Sequence, residues 1–217
     1  MLSWLRSKPV SEEATEAVHS LFRTGFPAVE HFAHMLSEEG EERGLIGPRE
    51  VSRIWSRHIV NCAALLPYLP AKGSVLDVGS GAGLPGIVIA CARPDLEVFL
   101  VEAMERRCQW LDEVRSEIGL DNVEIMCARS EDLKGKIRAD VVTARAVASL
   151  DKLIRLTSKL IAPHGRLLAL KGKRATEEVE RAATELRRYH LDASVHEVVS
   201  VLDGESTYVV ECSRVSS

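Results

Sequence analysis

The stretch Val75-Leu76-Asp77-Val78-Gly79-Ser80-Gly81-Ala82-Gly83-Leu84-Pro85-Gly86 decides how the rest of the chain is read. Val75, Leu76 and Val78 make a short apolar run, three glycines alternate after it, and an apolar, helix-compatible stretch continues from Gly86 to Ala92. That is the order of a strand, a tight turn and a helix start. Glycine permits positive φ and lets a ligand lie directly against the main chain. The following helix turns free N–H groups and its positive dipole end toward the turn, an arrangement suited to a nucleotide-like ligand at the carboxyl end of the strand. The spacing is D-x-G-x-G-x-G, whereas the dinucleotide fingerprint G-x-G-x-x-G would need its third glycine at position 84, which is Leu.

Downstream of this loop, strand and helix signals alternate. Strand one covers 74–78 and a helix covers 85–92; Pro94-Asp95 breaks the chain, and strand two is Glu97 to Glu102. A helix over 104–118 points Cys108, Leu111, Val114 and Ile118 inward. Strand three is Val123 to Cys127, strand four Asp140 to Ala144, and a helix over 150–161 is stopped by Pro163 and Gly165. Strand five is Arg166 to Lys171, followed by a helix over 175–189 and by strands near 193–201 and 207–213. Repeated β-α units imply a mostly parallel sheet with helices on both faces. The last two strands are joined only by Asp203-Gly204-Glu205-Ser206, a hairpin link, so the final strand runs antiparallel.

Upstream, residues 11–69 carry no strand signal. Residues 1–10 read as a loose arm, and Ser11-Glu12-Glu13 as the N-cap and first turn of a helix ending near Gly25. Pro27 opens a second helix with Val29, Phe32, Ala33 and Leu36 on one face. Pro48 opens a third, whose stripe is Val51, Ile54, Trp55, His58, Ile59, Cys62, Leu65 and Leu66. The chain therefore divides into a helical lead-in, 1–73, and an α/β unit, 74–217.

The 217 residues are 46% hydrophobic and 28% charged, enough for one sizeable core. With a net charge of −4, contact with nucleic acid has to come from a local patch. Cysteines 62, 91, 108, 127 and 212 form no C-x-x-C pair and read as buried, reduced thiols of a cytoplasmic protein, with no metal. No apolar run reaches signal-peptide or membrane-spanning length.

Two ligands remain open, a dinucleotide and S-adenosylmethionine. Glu102, at the end of strand two, is placed to accept both hydroxyls of the ribose that each carries; as a plain structural acid it would serve the start of the next helix. The polar turn Ala128-Arg129-Ser130-Glu131-Asp132-Leu133 after strand three and the antiparallel last strand favour the adenosyl ligand. With these residues in place the chain resembles the bacterial ribosomal RNA small-subunit methyltransferase G family (RsmG, or glucose-inhibited division protein B). The carrying segments are Arg57-His58-Ile59-Val60-Asn61-Cys62, Val75–Gly86, Arg129–Asp132, Val142-Thr143-Ala144-Arg145-Ala146-Val147-Ala148-Ser149-Leu150 and Leu170-Lys171-Gly172. The stretch around Arg145 is the most specific of them.

The resemblance implies a Rossmann-like class I methyltransferase, α/β, with a mostly parallel seven-stranded sheet, an antiparallel last strand and an N-terminal helical extension. It implies transfer of a methyl group from S-adenosylmethionine to N7 of one guanine in the 530 loop of 16S ribosomal RNA, by a cytoplasmic monomer whose partner is that RNA or a small-subunit precursor. The residues agree with what such chemistry lacks: there is no Asp/Asn-Pro-Pro-Tyr/Phe motif for an exocyclic amine and no Pro-Cys nucleophile for a pyrimidine carbon. Guanine N7 already has a free lone pair and needs positioning, not a base. Gly79, Gly81, Gly83 and Leu84 are expected against the cofactor's amino-acid and ribose portion, Glu102 on the ribose, and Ser130 and Glu131 at the adenine. Asp77 is expected to orient the loop or to meet the cofactor's ammonium through water. Arg145 is the expected catalytic cleft residue, facing the cofactor carboxylate, an RNA phosphate or guanine O6. Lys171, Lys173 and Arg174 form the best local basic patch, with Arg57 and His58 as further RNA-facing candidates; His58 also fits a buried residue that holds the lead-in to the core. A small-molecule methyltransferase and a non-catalytic RNA-binding assembly protein are the rival readings within this fold, and a nicotinamide-dependent oxidoreductase is a third.

Overall fold

The computed structural model describes residues 15–215, so the expected arm at 1–10 and the N-cap at Ser11 lie outside the described residues. The strands are β1 Gly73–Val78, β2 Leu96–Glu102, β3 Val123–Cys127, β4 Ala139–Arg145, β5 Ile161–Lys171, β6 Leu191–Val199 and β7 Ser206–Arg214. They form one sheet in the order β3-β2-β1-β4-β5-β7-β6. β1 pairs in parallel with β2 and with β4, β2 with β3, and β4 with β5. β7 is antiparallel to both β5 and β6, as the hairpin link requires. The winding reverses between β1 and β4, and a doubly wound sheet opens a crevice at the carboxyl ends of the strands there.

Both faces of the sheet are covered, which is why β1 is buried without interruption from Val75 to Val78. Alternate residues serve opposite cores. Val75, Val98, Val141 and Leu168 join the core shared with helices α1 Glu16–Phe22, α2 Phe26–Glu39, α4 Gly86–Ala92 and α5 Glu105–Ile118. Leu76, Val142, Leu167 and Val210 face α6 Leu150–Thr157, α7 Ala175–Arg181 and α8 Ala183–Arg188. The lead-in thus packs into the same core as the glycine loop's own helix.

Several expectations change. Helix α1 is capped by Thr15, whose hydroxyl accepts from the Val18 N–H. The helix read over 150–161 ends at Thr157, and the one read over 175–189 is divided at Ala182. Pro163 and Gly165 lie inside β5, at its irregular first part; a Cβ on Gly165 would stand 2.7 Å from the Asp140 carbonyl oxygen, so only glycine lets β5 pass β4 so closely. The third lead-in helix is not a regular α-helix. It runs as a 3₁₀ turn Val51–Arg53, a π-helix Ile54–Val60 and the short α3 Asn61–Ala63. Its buried pairs 54/55 and 59/60 recur at five residues, which a wider helix accommodates, and π segments of this kind are frequent at functional sites. Cys108 and Cys127 are not free thiols but a disulfide with Cα atoms 5.8 Å apart, because β2–β3 register sets Cys127 beside Glu102 and the first turn of α5 returns over it. Cys62, Cys91 and Cys212 are buried and free. No helix among the described residues is long and apolar enough to cross a membrane.

Candidate functional site

The glycine loop hangs from the neighbouring strand. The N–H groups of Gly79 and Ser80 donate to the Val101 carbonyl at 2.9 and 3.0 Å, and the Ser80 hydroxyl donates to the Asp77 carbonyl. The glycines divide their work. Gly83 faces the core, where a Cβ would meet Ile87 at 2.7 Å and Leu111 at 3.3 Å; Leu84 is itself buried in that core. Both thereby pack the turn onto its helix. Gly81, at φ +56°, has open space, with nothing nearer to an added Cβ than 3.8 Å. Gly79 lies beneath Val147 of the loop that follows β4.

Glu102 serves the loop and the next helix together. Its Oε2 accepts from the Gly81 N–H at 2.9 Å, and its Oε1 accepts from Ala103 N at 2.8 Å and Met104 N at 2.9 Å. A carboxylate has about four acceptor positions, so capacity for a hydroxyl donor remains. Asp77 is fully buried; Oδ2 accepts from Gly86 N at 3.0 Å, while Oδ1 has no partner. Burial pushes its carboxyl up to about 7, against the opposing pull of the Gly86 N–H. An unpartnered buried carboxylate oxygen is costly unless a donor or cation reaches it. Ser130 is buried in the turn after β3 and its hydroxyl donates to Glu131 Oε2 at 3.1 Å, with Glu131 exposed.

Arg145, the last residue of β4, is bound by the lead-in. Its Nη1 donates to the Arg57 carbonyl at 3.1 Å and to Asn61 Oδ1 at 3.4 Å, with Cys62 Sγ at 3.6 Å; its Nη2 meets His58 Nδ1. Asn61 Nδ2 in turn donates to Thr207 Oγ1 on β7 at 2.8 Å. His58 is only 2% exposed, so it looks inward and presents no surface to RNA. Burial, aided by the Arg145 charge, lowers its imidazole to about 4 and keeps it neutral. Burial likewise pushes the Cys62 thiol up to about 11. Arg57 is exposed but paired with Glu50 at 2.9 Å; Arg53 reaches Glu205 at 3.4 Å, tying the lead-in to the β6–β7 hairpin.

Between these elements lies a cleft of about 670 Å³, walled by the lead-in, the Arg145–Ala148 loop, the end of β5 and the hairpin. The expected basic patch is split at its rim. Lys171 turns back, donating to the Ala148 carbonyl and to Glu178 at 2.8 Å each, because Glu178 on α7 returns beside it. It braces the Arg145–Ala148 loop, and Lys173 and Arg174 alone remain exposed. The acceptors around Arg145 and the Asn61–Thr207 bond were not anticipated; the only trace in sequence is that His58, Asn61 and Cys62 crowd one short polar-and-apolar stretch. Among the described residues no group of three or more His, Cys, Asp or Glu is arranged to hold a metal ion.

Comparison with known proteins is consistent with this geometry. A family model described as GidB, rRNA small subunit methyltransferase G, matches residues 26–207. The chain is 54% identical over 197 residues to a ribosomal RNA small subunit methyltransferase G of Beutenbergia cavernae, covering 90% of this chain and 93% of that one. It is 45% identical over 199 residues to the protein of the same description from Paenarthrobacter aurescens, covering 92% and 86%. Among solved structures it is similar in fold to M. jannaschii TYW2 in complex with AdoMet, with a TM-score of 0.55, 19% identity and coverage of 75% of this chain and 78% of that one. A ribosomal protein L11 methylase from Lactobacillus delbrueckii subsp. bulgaricus gives a TM-score of 0.56 at 14% identity, covering 72% and 77%.

Proposed function

Because the chain belongs to the rRNA small subunit methyltransferase G family, an S-adenosylmethionine-dependent family, we propose that it methylates N7 of a guanine in the 530 loop of 16S ribosomal RNA. The residues present fit that cofactor. Asp77 Oδ1 is a buried, unpartnered acceptor suited to an ammonium, Glu102 retains capacity for a ribose hydroxyl, and Gly81 leaves the main chain open to close approach. Ser130 and Glu131 stand after β3, where the adenine edge would lie. When bound, S-adenosylmethionine supplies a sulfonium methyl group as the electrophile.

The chain's own task is to hold and orient. Guanine N7 carries its lone pair in the plane of the ring and has no proton to lose, so no general base is required. His58, whose ring lies against Arg145, is only 2% exposed and so is not placed to take a proton from a nucleobase in the cleft. Arg145 carries five N–H donors, and the lead-in engages only its Nη1 and Nη2 atoms. Its remaining donors serve guanine O6, leaving N7 free for in-line attack. Positioning of this kind supplies the rate. Lys173 and Arg174 meet RNA phosphates at the rim and offset the overall negative charge. A guanine in a structured loop is splayed out to enter.

The placement of Arg145 at the end of β4, next to β1 at the switch point, carries this reading. Incubation with methyl-labelled S-adenosylmethionine and either 16S RNA or small subunits tests it. Label should enter the RNA and S-adenosylhomocysteine should accumulate in step. RNA binding with no S-adenosylhomocysteine would favour an assembly protein, and label in a small molecule would favour the other rival.

A further inference from the structure

Arg145, at the end of β4, is held in the cleft by groups from a distant part of the chain. Its four neighbours, the Arg57 carbonyl, His58, Asn61 and Cys62, all come from the π-helix and α3 of the lead-in. Three of these are oxygen or sulfur and would accept from any donor. His58 is different, because an imidazole accepts through one nitrogen only in one tautomer.

That tautomer is determined from both sides. A guanidinium can only donate, so Nδ1 facing Arg145 Nη2 must be the acceptor and the proton must sit on Nε2. Nε2 is buried and has no hydrogen-bond partner; the nearest charge is Glu50 Oε1 at 3.7 Å. Glu50 is held there by the Gly47 N–H at 2.8 Å and by Arg57 Nε at 2.9 Å. Glu50 thus sets a negative charge, without a hydrogen bond, on the protonated side of the ring, while Nδ1 accepts from Arg145. The imidazole is kept neutral mainly by burial and then by the Arg145 charge, with Arg57 acting in the same sense and Glu50 opposing both.

We propose that His58 is the positioning residue for Arg145: its Nδ1 aims the guanidinium across the cleft, and Glu50 keeps the imidazole in the accepting tautomer. The lead-in is thereby part of the active site. This rests on the reading of Arg145 given above, and the experiment separates the two.

His58→Leu fills the same volume with no acceptor, and His58→Asn restores an oxygen near the Nδ1 position. Methyl transfer to RNA is measured for both, alone and combined with Arg145→Ala, together with the cofactor Kd by calorimetry and the thermal midpoint. His58→Leu should lower kcat roughly 100-fold, the scale of a misoriented group about 1 Å from its place. Its cofactor Kd should stay within about twofold, and His58→Asn should recover most of the rate, on the same argument that one oriented acceptor suffices. In the Arg145→Ala background His58→Leu should cost nothing more, since groups that act as a unit are non-additive. Equal losses in the Leu and Asn variants, or losses that multiply with Arg145→Ala, would overturn the proposal in favour of a packing role. An inactive Arg145→Ala beside a fully active His58→Leu refutes the positioning role alone. A fully active Arg145→Ala refutes the reading of the cleft and the positioning role with it.

Discussion

Replacing Asp77 with Asn should make the protein more stable in alkaline solution than it is with its own residue. Burial raises the Asp77 carboxyl to about 7 in the fold, whereas an unfolded Asp titrates near ~3.9. The difference is about three pH units, worth roughly 1.4 kcal/mol each, or about 4 kcal/mol in all. The sign follows from the direction of the shift. A carboxyl raised on folding gives its full stability below about pH 4, where both states are protonated, and loses it as pH rises to about 7. Asn does not titrate and keeps a carbonyl for the Gly86 N–H that Oδ2 now holds. Every other carboxylate titrates alike in the two proteins, so the difference in stability isolates Asp77. Urea midpoints or thermal melts without cofactor, from pH 4 to pH 8, should show the two proteins level at the acid end. At pH 8 the Asn variant should lead by about 4 kcal/mol, or roughly 8–16 °C for a chain of this length. Saturating S-adenosylmethionine should narrow that gap, because its ammonium pairs with the ionised Oδ1. A gap that stays constant with pH would mean that Asp77 ionises as though in water, and the argument from its unpartnered oxygen would fail.

Other perturbations separate the roles of neighbouring residues. Gly83→Ala should destabilise the fold by about 1–3 kcal/mol, the usual cost of overpacking, because its Cβ would stand 2.7 Å from Ile87 in a left-handed backbone. Gly81→Ala has room for its Cβ and should cost only about 1–2 kcal/mol in melting experiments, yet calorimetry should show cofactor binding largely lost. Glu102→Gln keeps one acceptor for three backbone donors and turns an amide N–H toward another; cofactor Kd should rise about 10- to 100-fold, as for loss of a hydrogen bond to a charged group. Lys173→Ala with Arg174→Ala should raise KM for RNA and reduce the salt slope of RNA binding by roughly 0.7–0.9 per residue, with cofactor Kd unchanged.

What could be read from sequence were the features written in local periodicity. The apolar run before Gly79 and the glycine alternation located β1 and its turn, and the four-residue link at 203–206 determined that β7 is antiparallel. Features that depend on distant partners were hidden. Cys108 and Cys127 are 19 residues apart and meet only because β3 registers beside β2. Lys171 looked like a surface cation until α7 returned Glu178 to it. The stripe from Val51 to Leu66 matched a 3.6-residue period closely enough to mask a π-helix, since apolar residues four and five apart satisfy both windings. His58 could be read as a buried residue holding the lead-in to the core, but not its partner Arg145, a residue 87 positions away. Gly83 shows a further limit: a glycine pattern does not say at which of its members the core fills the space of a side chain.

The most direct test is to find the atom that receives the methyl group. Small subunits methylated by this protein would be treated with borohydride and aniline, which cleave RNA at N7-methylguanine, and the break would be mapped along 16S RNA. The account predicts a single cofactor-dependent break at a guanine of the 530 loop, absent with Arg145→Ala. Methyl incorporation without cleavage there, or cleavage at other guanines, would contradict it.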